Sequence, residues 1–136
     1  MLVLLVEDEE YLAKMYQVEF ELSDFKVKWA KDGEEGFNLA QSAQPAVIVC
    51  DIILPKMDGL TLLKKLKEDP HTKNIPVMIL TNYGEQKNMK EAFSQGAADF
   101  VVKYLATPKE VVEKIKVILE KTSQKVEGTA GEITNP

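Results

Sequence analysis

Short, largely apolar runs alternate along the chain with longer stretches in which apolar residues recur every three or four positions. Apolar runs of four to six residues that lie between helical patterns are typical of strands buried on both faces of a parallel sheet. The pattern therefore predicts five strands, each followed by a helix. The predicted strands are residues 2–6, 25–30, 46–50, 76–80 and 99–102.

Capping signals support four of the five predicted helices. Side chains that accept hydrogen bonds from backbone amides are favoured at helix starts, and glycine is favoured just after helix ends. The fourth helix is predicted over residues 85–95. The signals are Asp32 with Glu35 for the second helix, Asp58 for the third, Gly96 after the fourth, and Thr107, Pro108 and Glu110 for the fifth.

The first helix is predicted from the spacing of its apolar residues. Leu12, Met15, Tyr16 and Phe20 fall on one face at helical spacing. We expect this face to pack on the sheet, and Tyr11 to be a packing residue as well. Trp29 and Phe25 of the second strand are predicted to pack under the first or the fifth helix.

Strict alternation of strands and helices predicts an α/β fold with helices on both faces of a parallel sheet. Right-handed crossovers, with the two halves wound in opposite directions, give a doubly wound five-stranded sheet of order 2-1-3-4-5, the flavodoxin-like arrangement. In such sheets ligands bind beyond the carboxyl ends of the strands, where the winding reverses. Here that point lies between strands one and three.

The length of 136 residues corresponds to one domain. We place this domain at residues 1–121. Residues 122–136 are small, polar and glycine-containing, so they cannot bury enough apolar surface to offset the cost of ordering them. We predict that this segment is a disordered C-terminal tail, and no second domain is expected.

Composition excludes several function classes. All 17 basic residues are lysine and the net charge is -5, so binding of nucleic acid by this chain alone is not expected. No apolar stretch approaches the roughly 20 residues of a membrane span, and the apolar start is too short for a signal peptide. We therefore expect a cytoplasmic protein without a membrane partner. The single cysteine, Cys50, is expected to be a core residue.

Acidic residues follow two of the predicted strands. Glu7 and Asp8 come directly after strand one, and Asp51 comes directly after strand three. Acids in the first turn of a helix are favoured by the helix dipole, which accounts for Glu9 and Glu10 but not for Asp51 between two apolar runs. Carboxylate oxygens are the ligands that Mg²⁺ prefers. The sequence therefore predicts a magnesium site at this edge of the sheet.

A hydroxyl and an ammonium complete the candidate site. Thr81 follows strand four and Lys103 follows strand five. Either residue alone would carry little information, because a lysine at the end of a strand is usually solvated. Together, at the same edge of the sheet as the acids, they suit the binding of a phosphoryl group on Asp51.

These residues resemble the receiver domain of two-component response regulators, in particular single-domain regulators of the chemotaxis type. The resemblance covers residues 1 to about 121. Five motifs carry it in order: the acid pair Glu7 and Asp8, the D-x-x-x-P-x-x-D-G segment at 51–59, Thr81, the segment at 96–102, and Lys103.

The resemblance implies a role for each matching residue. Asp51 would accept a phosphoryl group from a histidine kinase, a phosphotransfer protein or a small acyl phosphate. Asp8, Asp51 and the backbone carbonyl of Ile53 would bind Mg²⁺, with Glu7 acting through a water. Lys103 and Thr81 would bind phosphoryl oxygens. Thr81 and Phe100 would then act as a switch that reshapes the surface of helix four, strand five and helix five for a downstream effector protein.

Four residues depart from the pattern of this family. Glu7 stands where aspartate is more usual, and Asn82 stands where alanine or glycine is common, so its amide could narrow access to Asp51. Phe100 lacks the hydroxyl of a tyrosine. Tyr104 replaces a proline that often follows a cis bond, and because a cis bond to tyrosine costs roughly 3 kcal/mol, we predict a trans peptide there.

Two further positions bear on the lifetime of a phosphorylated state. In the family, the residues two after the aspartate and two after the threonine flank the path of a hydrolytic water. Here these are Ile53 and Tyr83. Both are bulky, and neither carries a carboxylate or amide that would orient water, so we predict slow self-dephosphorylation.

Two other function classes share some of these features. A receiver-like scaffold that binds partners without phosphorylation is compatible with Asn82 and Tyr104. A hydrolase with Asp51 as nucleophile is disfavoured, because Ile53 replaces the second acid usual in that class. We expect no turnover of a separate substrate. As for oligomeric state, a monomer or a phosphorylation-dependent dimer is expected.

Overall fold

The computed structural model describes the backbone of residues 1–134 and the side chains of residues 1–122. Strands and helices alternate along the chain. In chain order they are β1 (Leu2–Val6), α1 (Glu10–Leu22), β2 (Lys26–Ala30), α2 (Gly33–Ala43), β3 (Val47–Cys50), α3 (Gly59–Glu68), β4 (Val77–Thr81), α4 (Gln86–Ser94), β5 (Asp99–Val102) and α5 (Pro108–Thr134).

The five strands form one parallel sheet of order β2-β1-β3-β4-β5. This confirms the predicted fold class and strand order. In the register of the central pair, Val6 of β1 lies opposite Cys50 of β3, so both strands end at the same level. The residues that follow them, Glu7 and Asp51, therefore project from one edge of the sheet, at the point where the winding reverses.

The predicted boundaries of strands and helices lie close to those of the structure. β2, β3 and β4 each begin one residue later than predicted, and β4 extends to include Thr81. The predicted caps are present: Asp32 accepts from the Glu35 amide at 2.8 Å, and Asp58 accepts from the Thr61 amide at 2.9 Å.

At its end, α5 extends past Lys121, where we placed the domain boundary. The prediction that residues 122–136 form a disordered tail is not tested, because the side chains from residue 123 onward lie outside the described residues. It therefore stays a prediction.

Two apolar layers sandwich the sheet. One layer, between the sheet and α2, α3 and α4, is built around Leu62, Leu63 and Leu66. The other, between the sheet and α1 and α5, includes Phe20 and Ile115. Cys50 is 1% exposed, and burial raises the pKa of its thiol, as expected for a core residue.

The first helix packs through most of the predicted face, because Leu12, Tyr16 and Phe20 all contact the layer beneath it. Its buried residues are Ala13, Tyr16 and Phe20. Tyr11 is 81% exposed and Met15 is 36% exposed, so the predicted packing of these two residues is wrong. A second apolar stripe at helical spacing, opposite the buried face, explains the difference. It comprises Tyr11, Met15, Val18 and Leu22, and in the described part of the chain nothing covers it.

The start of α3 lies against the end of β3. The Gly59 amide donates to the Ile52 carbonyl at 2.7 Å, and a methyl group on Gly59 would overlap the carbonyl oxygen of Asp51. The absence of a side chain at Gly59 thus lets the helix approach the backbone of the residue on which the site depends.

Gly59→Ala should therefore be costly. We expect the free energy of unfolding to fall by about 3 kcal/mol, the upper end of what overpacking costs, because the backbone on both sides of the contact must shift. Gly96→Ala is the matched control. Gly96 has φ 98° but only ordinary contacts near its Cα, so strain alone should cost about 1 kcal/mol. Urea unfolding measures both, and equal losses would show that close approach is not what requires Gly59.

Candidate functional site

Three charged side chains from the ends of three strands meet at one edge of the sheet. Glu7 follows β1, Asp51 follows β3 and Lys103 follows β5. The Lys103 Nζ donates hydrogen bonds to Glu7 Oε1 at 2.5 Å and to Asp51 Oδ2 at 2.7 Å. The two pairs are separated by 96 and 52 residues in the sequence, so only the fold brings these groups together.

This cluster is almost inaccessible to solvent. The side chains of Glu7, Asp51 and Lys103 are 3%, 9% and 8% exposed. Charges at this depth are weakly screened, and an unpaired one costs several kcal/mol. Lys103 is the one lysine in the described part of the chain that pairs with either acid. One ammonium between two carboxylates leaves an excess of negative charge.

Backbone amides supply the remaining hydrogen bonds of the two acids. The Ile52 amide donates to Asp51 Oδ1 at 2.6 Å, and the Glu9 amide donates to Glu7 Oε2 at 3.2 Å. Each carboxylate therefore has one oxygen on the lysine and one on the backbone. This arrangement fixes the orientation of both carboxylates.

Burial sets the proton affinities of the cluster. It raises the pKa of the Glu7 carboxyl above its usual value, although the hydrogen bond and charge of Lys103 oppose the shift. For Lys103, burial lowers the pKa, but the hydrogen bonds and negative charges of Asp51 and Glu7 together outweigh burial, and the pKa is raised. The ammonium is therefore charged at neutral pH, whereas folding makes it easier to protonate Glu7.

The acids fit a small divalent cation. One carboxylate oxygen from each of Glu7, Asp8 and Asp51 lies within 4.8 Å of the others. Asp8 is exposed while Glu7 and Asp51 are buried, so an ion held here would keep some bound water. Oxygen ligands with retained water are what Mg²⁺ requires. These residues could hold Mg²⁺.

An open cleft of about 270 Å³ gives access to the cluster. Ile53 and Tyr83, the two bulky residues expected to flank Asp51, both line it and are 51% and 50% exposed. Asn82 lines it as well, and whether its amide narrows access to Asp51 stays a prediction. The predicted role of the Ile53 carbonyl as a metal ligand stays a prediction.

Thr81 and Phe100, the two expected switch residues, are both buried. Thr81 is fully buried at the end of β4, and its hydroxyl accepts a hydrogen bond from the Tyr83 amide at 3.2 Å. It does not line the cleft. Phe100 is 8% exposed and belongs to the layer under α4. Their roles stay predictions.

The bond between Lys103 and Tyr104 is trans, as predicted, since the described chain contains no cis peptide. Lys103–Leu105 form a single 3-10 turn. Tyr104 and Leu105 are 73% and 72% exposed, so the loop carries two apolar side chains into solvent beside the site.

Trp29 contacts the site in a way that the sequence did not indicate. Its ring packs against the layer under α1 and α5, as predicted, but its indole Nε1 also donates to the Glu7 carbonyl at 2.7 Å. Tryptophan at the end of a strand beside the acid loop was a possible signal, because a buried indole N–H usually finds an acceptor.

No helix in the described residues combines the length and the apolar character needed to cross a membrane.

Comparison with known proteins gives consistent matches. A family model described as the response regulator receiver domain matches residues 3–127. The transcriptional regulatory protein SrrA of Staphylococcus aureus is 36% identical over 120 residues, which make up 88% of this chain and 48% of that protein. The chain thus spans about half the length of the curated relatives it matches.

Solved structures of similar proteins have the same fold. The receiver domain of the Francisella response regulator 1452 superposes with a TM-score of 0.82 at 28% identity, covering 89% of this chain and 98% of that one. The chemotaxis protein CheY4 of Vibrio cholerae superposes with a TM-score of 0.80 at 26% identity, covering 86% and 97%.

Lys103→Met tests the ion pairs of the cluster. It leaves Glu7 and Asp51 buried without a cation, so the free energy of unfolding should fall by about 3 kcal/mol at neutral pH. Without Lys103 the pKa of Glu7 rises further. The folded protein then retains a proton that the unfolded chain releases, so the deficit should shrink as the pH is lowered toward about 5. Urea unfolding at both pH values measures it.

Lys56→Met is the matched control. The Lys56 Nζ is 3.7 Å from Asp32 Oδ2 and its side chain is 63% exposed, so losing this pair should cost at most about 1 kcal/mol at either pH. Equal losses in the two variants, or a Lys103→Met deficit that grows on acidification, would contradict the role of Lys103 as counter-ion of the buried acids.

Proposed function

The chain belongs to the response regulator receiver domain family, and on this premise we propose that it is a phosphoacceptor in a two-component system. Asp51 accepts a phosphoryl group from a histidine kinase or a phosphotransfer protein. The observation that carries the proposal is the pairing of Asp51 with Lys103 at 2.7 Å, at the base of an open cleft. A buried carboxylate with one oxygen on a cation and a route to solvent is suited to react with an incoming phosphoryl group.

Each neighbour of Asp51 has a defined part in this transfer. Asp8, Asp51 and the Ile53 carbonyl would hold Mg²⁺, with Glu7 acting through a water. An ion bound there would supply positive charge for the phosphoryl oxygens. Lys103 provides a second positive charge for the same oxygens. The protein contributes mainly position and electrostatics, and we expect no turnover of a separate substrate beyond slow loss of its own phosphoryl group.

Phosphorylation is proposed to act through buried groups next to the cleft. Thr81 moves its hydroxyl from the Tyr83 amide to a phosphoryl oxygen, and Phe100 responds to the space that this opens. The surface formed by α4, β5 and α5 then changes shape for an effector protein. The proposal rests on the burial of Thr81 at the end of β4 and of Phe100 in β5, and on the principle that a local charge change can bias a two-state element.

A second candidate is a receiver-like scaffold that is not phosphorylated. The presence of the Asn82 side chain in the wall of the cleft favours it, because an amide there narrows the approach to Asp51. In either case we propose a cytoplasmic protein that works through protein partners.

Phosphorylation is directly testable. Incubation with acetyl phosphate and Mg²⁺ should add one phosphoryl group, seen by intact mass, and Asp51→Asn or removal of Mg²⁺ with EDTA should abolish it. Asp24→Asn changes an exposed aspartate in the turn between α1 and β2 and serves as the control that should label normally. Failure of the wild-type protein to react with acetyl phosphate, and with beryllofluoride, would favour the scaffold.

The lifetime of the phosphorylated state gives a separate prediction. Ile53 and Tyr83 line the cleft without offering a group that orients water. We expect Ile53→Asn with Tyr83→Glu to speed the loss of phosphate at least about tenfold, on the scale of an added general base. The decay of the phosphorylated mass after removal of acetyl phosphate measures the rate. An unchanged rate would show that these two positions do not control hydrolysis.

A further inference from the structure

The main chain of Glu7 forms hydrogen bonds to β2 through both its N–H and its carbonyl. Its N–H donates to the Ala30 carbonyl at 3.0 Å, and its carbonyl accepts from the Trp29 indole Nε1 at 2.7 Å. The paired register of β1 and β2 ends at Val6 and Ala30. The indole therefore extends the attachment of β1 to β2 by one hydrogen bond, into the loop that carries the acids.

The orientation of the peptide between Glu7 and Asp8 affects where the carboxylates of these two residues lie. The Glu7 carboxylate accepts hydrogen bonds from Lys103 and from the Glu9 amide. A shift of the Glu7 main chain would therefore move the carboxylate relative to both donors. The Glu7 carbonyl belongs to the peptide bond that leads into Asp8. A rotation of this peptide would move the exposed carboxylate of Asp8 away from Glu7 and Asp51.

The indole is itself held in place. Trp29 pairs with Leu5 in the register of the sheet, its ring packs against the layer under α1 and α5, and the Lys31 ammonium lies 5.8 Å from the ring centroid. An indole is a donor only and cannot accept a hydrogen bond. Phenylalanine would keep most of this packing but would leave the Glu7 carbonyl without its donor.

We propose that Trp29 is a positioning residue for the cation site, one that raises the affinity for Mg²⁺ by fixing the peptide between Glu7 and Asp8. This inference rests on the proposed function, since it assumes that the acid cluster binds Mg²⁺. It adds a residue from β2, an edge strand of the sheet that itself supplies no ligand.

Mg²⁺ affinity, measured by isothermal titration calorimetry on the full chain, tests the proposal. Trp29→Phe should weaken Mg²⁺ binding about five-fold, which corresponds to one ordinary hydrogen bond. Replacement of Trp29 by benzothienylalanine, which keeps the shape of the two rings but has no N–H, should have the same effect. Phe25→Leu is the matched control, because Phe25 packs in the same layer and should leave Mg²⁺ affinity unchanged whatever its effect on stability.

The outcomes separate this inference from the proposed function. Wild-type binding of Mg²⁺ with unchanged affinity in both Trp29 variants would overturn the positioning role alone. Equal weakening in Phe25→Leu would also overturn it, because the effect would then follow from packing. A wild-type protein that binds no Mg²⁺, with no labelling by acetyl phosphate, would overturn both.

Discussion

The ammonium of Lys103 connects strand ends that are not neighbours. β5 is separated from β3 by β4 and from β1 by two strands, yet the Lys103 Nζ contacts residues that follow both. A lysine side chain can span this distance only if the residue that ends β4 leaves room, and Thr81 there is small and fully buried. Since Glu7 and Asp51 are buried like charges, their burial depends on this single cation. The end of every central strand is thus arranged around one lysine.

Much of the fold follows from the sequence because strands buried on both faces are apolar along their whole length. A short continuous apolar run between two helical patterns is therefore readily identified as a strand. The first helix shows where that reasoning stops. Ala13, Tyr16 and Phe20 have helical spacing, and so do Tyr11, Met15, Val18 and Leu22. Spacing alone cannot decide which of two apolar stripes faces the sheet, because both satisfy the same period.

In the site as well, the positions of strand ends could be predicted from the sequence, whereas the contacts of individual side chains could not. Glu7, Asp51 and Lys103 could be placed together because parallel strands end at a common edge, whatever their side chains do. The hydrogen bond from the Trp29 indole to the Glu7 carbonyl depends on a side-chain rotamer and on the orientation of one peptide. The burial of Thr81 depends on how its neighbours turn after β4. Neither is encoded in a pattern of residue types.

Charge balance links the resting cluster to its proposed response. Three carboxylates and one ammonium leave two negative charges, which one divalent cation would neutralise. A phosphoryl group on Asp51 replaces a single negative charge with nearly two, and it places them farther out along the side chain. If the Lys103 ammonium moved outward with this charge, its hydrogen bond to Glu7 would weaken. Burial already raises the pKa of Glu7. The added charge therefore requires a new donor, and the Thr81 hydroxyl, held only as an acceptor at 3.2 Å, still has its proton to give.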